Sequence, residues 1–284
     1  MLTTQQTLNC NGHLVSLETP IVMGILNVTP DSFYDGGRFQ QEDAILRQAE
    51  KMIAEGATII DIGGMSSRPG ADIISVDEEL KRVLSPIQSI TKSFPNIILS
   101  IDTIRSKVAR AAIEAGAHVI NDISAGKFDD QMYSTVADLG VPYILMHMQG
   151  KPDDMQENPT YEDIGLEVLD FFIAEVGKLR TLGVKDIIID PGFGFGKTIA
   201  HNYQLLNKIH TFKILEVPIL AGVSRKSMIY KFLETTPEEA LNGTTALNMI
   251  ALQQGAQILR IHDVKEAVET VQLFRQVEQY NSTK

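Results

Sequence analysis

Tryptophan is absent from this chain of 284 residues, and cysteine occurs once, at Cys10. A single thiol excludes an internal disulfide framework and points to a reducing compartment. Cations are also scarce: the formal charge is −11, which weighs against nucleic acid or a membrane surface as partner. It does not exclude an anionic substrate, because a few local cations override a global field. No apolar run approaches the roughly 18 residues of a membrane-spanning helix. The opening MLTTQQTLNCNGHL lacks the basic start and apolar core of a secretion signal. These absences set the expectation of a soluble, cytoplasmic protein.

What is present is a large supply of core-forming residues, 44% hydrophobic, without low-complexity tracts or linkers. Apolar, β-branched runs fall at Ile21–Asn27, Thr58–Ile62, Ile97–Asp102, His118–Asp122, Pro142–His147, Asp186–Asp190, Val217–Ala221 and Ala256–Ile261, eight in all. Between most of them the apolar spacing is helical. Ala44, Ile45, Ala49, Met52 and Ile53 share one face, with Gly56 as a stop; Asp77–Ile90 turns Leu80, Val83, Leu84 and Ile87 inward. Arg105–Ala115, Ile164–Leu182, Leu241–Gln254 and Val264–Val277 complete the helices. Buried strands alternating with helices predict a parallel sheet covered on both faces. Eight units in about 260 residues favour a single-domain (β/α)8 barrel over the alternative, a doubly wound sheet. Leu8 to Leu17 reads as a β-hairpin turning at Asn11-Gly12, placed to close the N-terminal mouth of a barrel spanning residues 21–281.

In such a barrel the chemistry sits where the strands end. Asn27 ends the first strand, as a cap or as a neutral oxygen ligand for a hard cation such as Mg²⁺. Asp31 and Asp35 follow, on a segment that also suits a turn. The second strand runs into GGMSSRPGAD, where Arg68 beside Ser66 and Ser67 on a glycine-rich segment suits phosphate. Asp102 or Thr103 could be an N-cap or a site residue, and Asn121 and Asp122 are open to the same two readings. His147 reads as hydrogen-bonded structure rather than a base. DPGFGFGKT fails as a phosphate-binding P-loop, because the position that needs the first glycine is Pro191. Asp190 is the better candidate, a carboxylate able to take two parallel N–H bonds from a heterocycle edge. Of Arg225 and Lys226, one is expected at the mouth and the other at the rim. Arg260 and His262, two apart, point the same way in an extended strand. Asp102, Asn121, Asp190 and Lys226 suit a flat polar heterocycle; Asn27, Arg68, Arg260 and His262 suit an oxyanion with a metal.

NVTPDSFYDGG, DIGGMSSRPGA, SIDTIRSKVARAAIEAGAHVINDISAG, DPGFGFGKT, GVSRKSM and ILRIHDV together resemble the dihydropteroate synthases, from about Met23 to Ala267. The resemblance implies a transferase of folate biosynthesis. It would condense 6-hydroxymethyl-7,8-dihydropterin pyrophosphate with 4-aminobenzoate, use Mg²⁺, be a target of sulfonamides and form a homodimer. It implies a pterin pocket of Asp102, Asn121, Ile123, Met146, Asp190 and Lys226. It further implies a pyrophosphate pocket of Asn27, Arg68, Arg260 and His262, with Asn27 also the Mg²⁺ ligand. The 4-aminobenzoate site would hold Ser67, Pro69, Phe195, Lys226 and Ser227, and Asp35 would assist the cationic intermediate. The chain departs from the common pattern at Met65 and Ser66-Ser67, where Glu-Ser-Thr is usual; Ser67 keeps a hydroxyl and Met65 loses a carboxylate. The rival readings are a pterin-binding barrel of the methyltetrahydrofolate methyltransferase type and a catalytically silent binding barrel.

Overall fold

The structure is a computed structural model that describes residues 5–29, 38–65, 74–150, 155 and 157–281, with backbone alone at 38–41. A hairpin of β1 (Thr7–Cys10) and β2 (His13–Ser16) opens the chain, its turn made by Asn11 and Gly12, both at positive φ. Then come β3 (Ile21–Asn27), α1 (Arg38–Ala54), β4 (Ile59–Gly63), α2 (Val76–Ser93), β5 (Ile98–Asp102), α3 (Ser106–Glu114) and β6 (Val119–Asp122). They are followed by α4 (Met132–Leu139), β7 (Tyr143–Met146), α5 (Ile164–Thr181), β8 (Ile187–Asp190), α6 (Ile199–Asn207) and a 3₁₀ helix (Ile209–Leu215). The chain finishes with β9 (Leu220–Ala221), α7 (Ser227–Tyr230), α8 (Leu241–Gln254), β10 (Ile258–Ile261) and α9 (Val264–Asn281).

The eight strands β3 to β10 form one parallel sheet in the order β8-β7-β6-β5-β4-β3-β10-β9. A bridge between Ile189 and Ile219 joins its two edges, so the sheet is a closed barrel, as the sequence predicts. The closing strand is shorter than the run Val217–Ala221 predicts. Pro218 within it has no N–H to give the ladder, and its carbonyl accepts from Ile189 N at 2.9 Å. The predicted helices are all present. Sequence reading missed α4, α6 and α7, of eight, nine and four residues, too short for a strong helical period. Among the described residues no helix is long and apolar enough to cross a membrane.

Alternation along the strands divides the apolar residues into two cores. Outward-facing Val22, Leu26, Ile60, Ile62, Leu99, Ile101, Leu145, Ile189 and Leu259 pack beneath the helices. Inward-facing Ile21, Met23, Ile59, Ile98, Val119, Ile144, Ile188, Leu220 and Ile258 fill the lower barrel together with Leu8, Cys10, Val15 and Leu17 of the hairpin. The hairpin therefore closes the N-terminal mouth. Cys10 is buried there, and burial followed by the nearby Asp186 charge pushes its thiol up to about 12. With Leu8 fully buried, Leu8→Ala should cost about 2–5 kcal/mol and lower the melting temperature, whereas the exposed Leu14→Ala should change it little. Thermal denaturation followed by circular dichroism checks both.

Candidate active site

Two residues beyond the apolar rung, five of the eight inward positions are polar or charged, the other three being Ile25, Met146 and Gly222. Asp61, Ser100, Asn121, Met146, Asp190, Gly222 and Arg260 stand two positions after Ile59, Ile98, Val119, Ile144, Ile188, Leu220 and Ile258 respectively. All seven therefore face inward by the same alternation. Arg260 is held between two carboxylates: Nε donates to Asp61 Oδ2 at 2.7 Å and Nη2 to Asp102 Oδ2 at 2.8 Å. Asn121 Nδ2 donates to the same Asp61 oxygen at 3.0 Å. Asp102 follows Ser100 by two residues and shares with Asn121 the register Asn27, Gly63, Asp102, Asn121 that pairs β3, β4, β5 and β6. Burial lifts the Asp102 carboxyl to about 7 against the lowering effect of Arg260, with Asp61, Glu79 and Asp122 adding to the rise. Burial works against the Arg260 guanidinium, but Asp61 and Asp102 outweigh it and raise its pKa further.

Across the mouth, Asp190 Oδ1 accepts from Gly192 N at 2.8 Å. Burial raises its pKa, opposed first by Lys226. Lys226 Nζ donates to the Phe193 carbonyl and lies 4.7 Å from the Phe195 ring centroid. Burial brings the Lys226 ammonium down to about 8, with Asp190 opposing the fall. Phe195, Met146 and Ile123 belong to an apolar cluster at this mouth, with Ile104, Met148, Met155 and Met65. The departure at Met65 thus brings a thioether to an apolar patch beside the charged groups.

The neighbouring pair separates as expected. Lys226 turns to the mouth, while Arg225, in the left-handed region at φ 52, forms a fork with Asp263 at 2.8 and 2.6 Å. His262 stands at the rim, its Nδ1 2.9 Å from Ser224 Oγ. Ser227 opens α7 with Lys226 as its N-cap residue. Asp31, Asp35, Ser66, Ser67, Arg68 and Pro69 lie outside the described residues.

Phase along the strand, more than position at its end, separates site residues from supports. Asp122 is out of phase. It accepts from Ser124 N and Oγ, Gly126 N and Tyr143 Oη, and so serves the loop behind the barrel. His147 is likewise out of phase; burial and then Lys197 hold its pKa well below the usual histidine range. Lys197, passed over in the sequence reading, is fully inside the turn after β8. Its Nζ donates to the Gly192 and Phe195 carbonyls at 2.9 Å and meets His147 Nδ1 at 3.0 Å. Burial carries that ammonium well below its ordinary pKa, against the attraction of Asp190. The turn is as tight as its glycines suggest: a Cβ on Gly192 would sit 1.9 Å from the His147 carbonyl oxygen. Asp61 and Glu79 were also missed. The signal for Asp61 was a carboxylate inside the apolar run Ile-Ile-Asp-Ile, away from the strand end. Glu79 lies on the buried face of α2, accepts from Thr103 Oγ1 at 2.6 Å and pairs with Arg105.

The heterocycle set and the oxyanion set are not separate in space, because Arg260 is bonded to Asp102. Between them lies Gly222. A Cβ there would lie 3.8 Å from Lys226 Nζ, 3.9 Å from Asp190 Oδ2 and 4.0 Å from Arg260 Cβ, ordinary contacts that need no shift. Gly222→Ala should therefore keep the melting temperature but weaken binding of a ligand seated on Asp190 and Lys226 by about 1–3 kcal/mol. Paired melting and titration measurements check this.

Residues 23–262 match the family model described as pterin binding enzyme. Dihydropteroate synthase of Escherichia coli (strain K12) is 45% identical over 264 residues, covering 92% of this chain and 93% of the relative. A Xanthomonas albilineans dihydropteroate synthase solved with 4-aminobenzoic acid superposes with a TM-score of 0.90 at 41% identity, over 97% of this chain and 99% of the other. The same organism's enzyme in complex with 7,8-dihydropteroate gives a TM-score of 0.86 at 38% identity, over 96% and 98%. This chain belongs to the pterin-binding enzymes and, among them, to the dihydropteroate synthases.

Proposed function

We propose that this protein joins 6-hydroxymethyl-7,8-dihydropterin pyrophosphate to 4-aminobenzoate, giving 7,8-dihydropteroate and pyrophosphate, by an ionisation-first path. The observation that carries the reading is the convergence of Asp190, Lys226 and Arg260 on Gly222, with Asp102 bonded to Arg260 and Asn121 joined to it through Asp61, in a chain of this family. The acids and the amide suit the donor-rich edge of a pterin. Lys226 supplies a donor beside the Phe195 ring, where the aryl amine would lie against Phe195, Ser227, Ser67 and Pro69. An aryl amine is already neutral at pH 7, so no strong base is required, and no free histidine needs to be found for one. The costly step is loss of pyrophosphate from the pterin carbon. Arg260, His262 and Arg68 are the groups to stabilise charge growing on the leaving oxygens. Asp35 and the electron-rich dihydropterin would favour the cation left behind.

Mg²⁺ is part of the proposal, with Asn27 as its ligand. Among the described residues no cluster of three or more histidines, cysteines or acids could cage a metal. The donor on offer is one neutral oxygen, Asn27 Oδ1, next to Gly63 on the same rung as Asp102. That fits a cation that keeps its waters and binds mainly through substrate phosphates. When bound it would supply positive charge for the departing pyrophosphate. A homodimer is proposed as well, supported by exposed Leu273 and Val277 on α9 and exposed Phe232 and Leu233 after α7. The cytoplasm is the proposed location.

Purified protein given the pterin pyrophosphate, 4-aminobenzoate and Mg²⁺ should release pyrophosphate and form dihydropteroate; pterin binding without release would sink the synthase reading. Arg68→Ala and Asp190→Asn should each lower turnover about 10²–10³-fold, and near-normal rates in both would count against the assignment. Asp102 at about 7 is protonated at lower pH and Lys226 at about 8 loses its charge at higher pH. Affinity for 6-hydroxymethylpterin should thus rise through about 7 and decline above about 8. Asp102→Asn should erase the acid limb of a calorimetric pH series.

A further inference from the structure

We propose that Asp61 is a positioning residue, a single buried carboxylate that sets Asn121 for the pterin and Arg260 for the pyrophosphate at once. The inference rests on the pterin reading above. Asp61 is fully buried on β4, and one of its oxygens, Oδ2, accepts from both Asn121 Nδ2 at 3.0 Å and Arg260 Nε at 2.7 Å. The Asn121 bond fixes the plane of the amide. The Arg260 bond, with Asp102 on the other side, fixes the plane of the guanidinium. Neither side chain can then turn without breaking a hydrogen bond to the fully buried Asp61.

Packing alone does not call for a carboxylate here. Its register neighbour Ile25 is apolar, and so is the whole rung below. Asp61 Oδ1 is buried without a hydrogen-bond partner, as is Ser100 Oγ at the paired position on β5. An arrangement that leaves a carboxylate oxygen unsatisfied is poor for stability. It is reasonable where the other oxygen orients two binding groups and the first remains open to a water or to the substrate's polar edge.

The test is Asp61→Asn, which keeps volume and removes the shared acceptor charge. Its melting temperature should fall, since Arg260 loses one of its two carboxylate partners, so binding is read well below the transition, where the variant is folded. Its affinities for 6-hydroxymethylpterin and for inorganic pyrophosphate should both fall, each by about 10–100-fold, with kcat, while KM for 4-aminobenzoate stays unchanged. In combination with Asn121→Ala, it should weaken pterin binding no further than Asn121→Ala alone, because the two changes act through one bond. Parent-like binding of both probes, additive losses, or an equal rise in KM for 4-aminobenzoate would overturn the inference. If Asp61→Asn does not fold, Asp61→Ser takes its place with the same expectations, and failure of both to fold would make Asp61 a fold-holding residue instead. A parent protein that binds neither probe would overturn the pterin reading itself; a binding parent with indifferent variants would overturn only the role of Asp61.

Discussion

A guanidinium half-buried in a barrel is held by what it pairs with. Arg260 reaches Asp61 and Asp102 across 199 and 158 residues of sequence. Removing an arginine from water costs several kcal/mol unless the geometry of its partners is good, and here two carboxylates supply it. The partners come from β4 and β5, the cation from β10, and β3 lies between β10 and β4 in the sheet. The ion pairs therefore depend on the strands keeping register, and register depends on the apolar rung below and on the hairpin that covers it. A one-residue slip would turn every one of these side chains outward. Fold and site share one constraint, the period of two along the strands.

That constraint also explains the division of labour at the mouth. In-phase Asp190, Asn121 and Arg260 face the opening, and out-of-phase Asp122 and His147 support loops. Lys226 comes from beyond a strand, and two features bring it in: Arg225 in a left-handed conformation, anchored to Asp263, and the Phe193 carbonyl that receives its ammonium. Lys197 braces the turn that supplies that carbonyl. The two lysines thus sit differently, Lys197 inside a turn and Lys226 at the mouth against the Phe195 ring. Packed apolar side chains from Met65 to Phe195 lower the local polarity around the charged groups. Charges act more strongly in such surroundings than in water.

Much of this was legible in the chain. Eight apolar runs named eight strands, and the polar residues at or just beyond their ends named the end where the candidate site lies. Asn11-Gly12 specified a hairpin, because both turn residues must take positive φ. Other features were not legible. Asp61 sits in the middle of an apolar run, and reading only strand ends passes over it. Glu79 occupies a core-facing helix position, and its partners Thr103 and Arg105 belong to a different unit of the barrel. The short helices α4 and α6 have too few turns for their period to stand out, and their stability comes from packing on the sheet.

The sequence by itself determined the alternation, the strand order along the chain and the chemical inventory of the mouth, because those follow from local periodicity and residue type. Only the tertiary structure decided which of the polar residues meet. It tied Arg260 to Asp61 and Asp102, decided which of Arg225 and Lys226 turns to the mouth, and sent Asp122 and His147 to the outer face of the strands. The physical reason is that closure of the barrel sets the relative height of strands far apart in sequence. Side-chain partnership depends on that height, which no local pattern records.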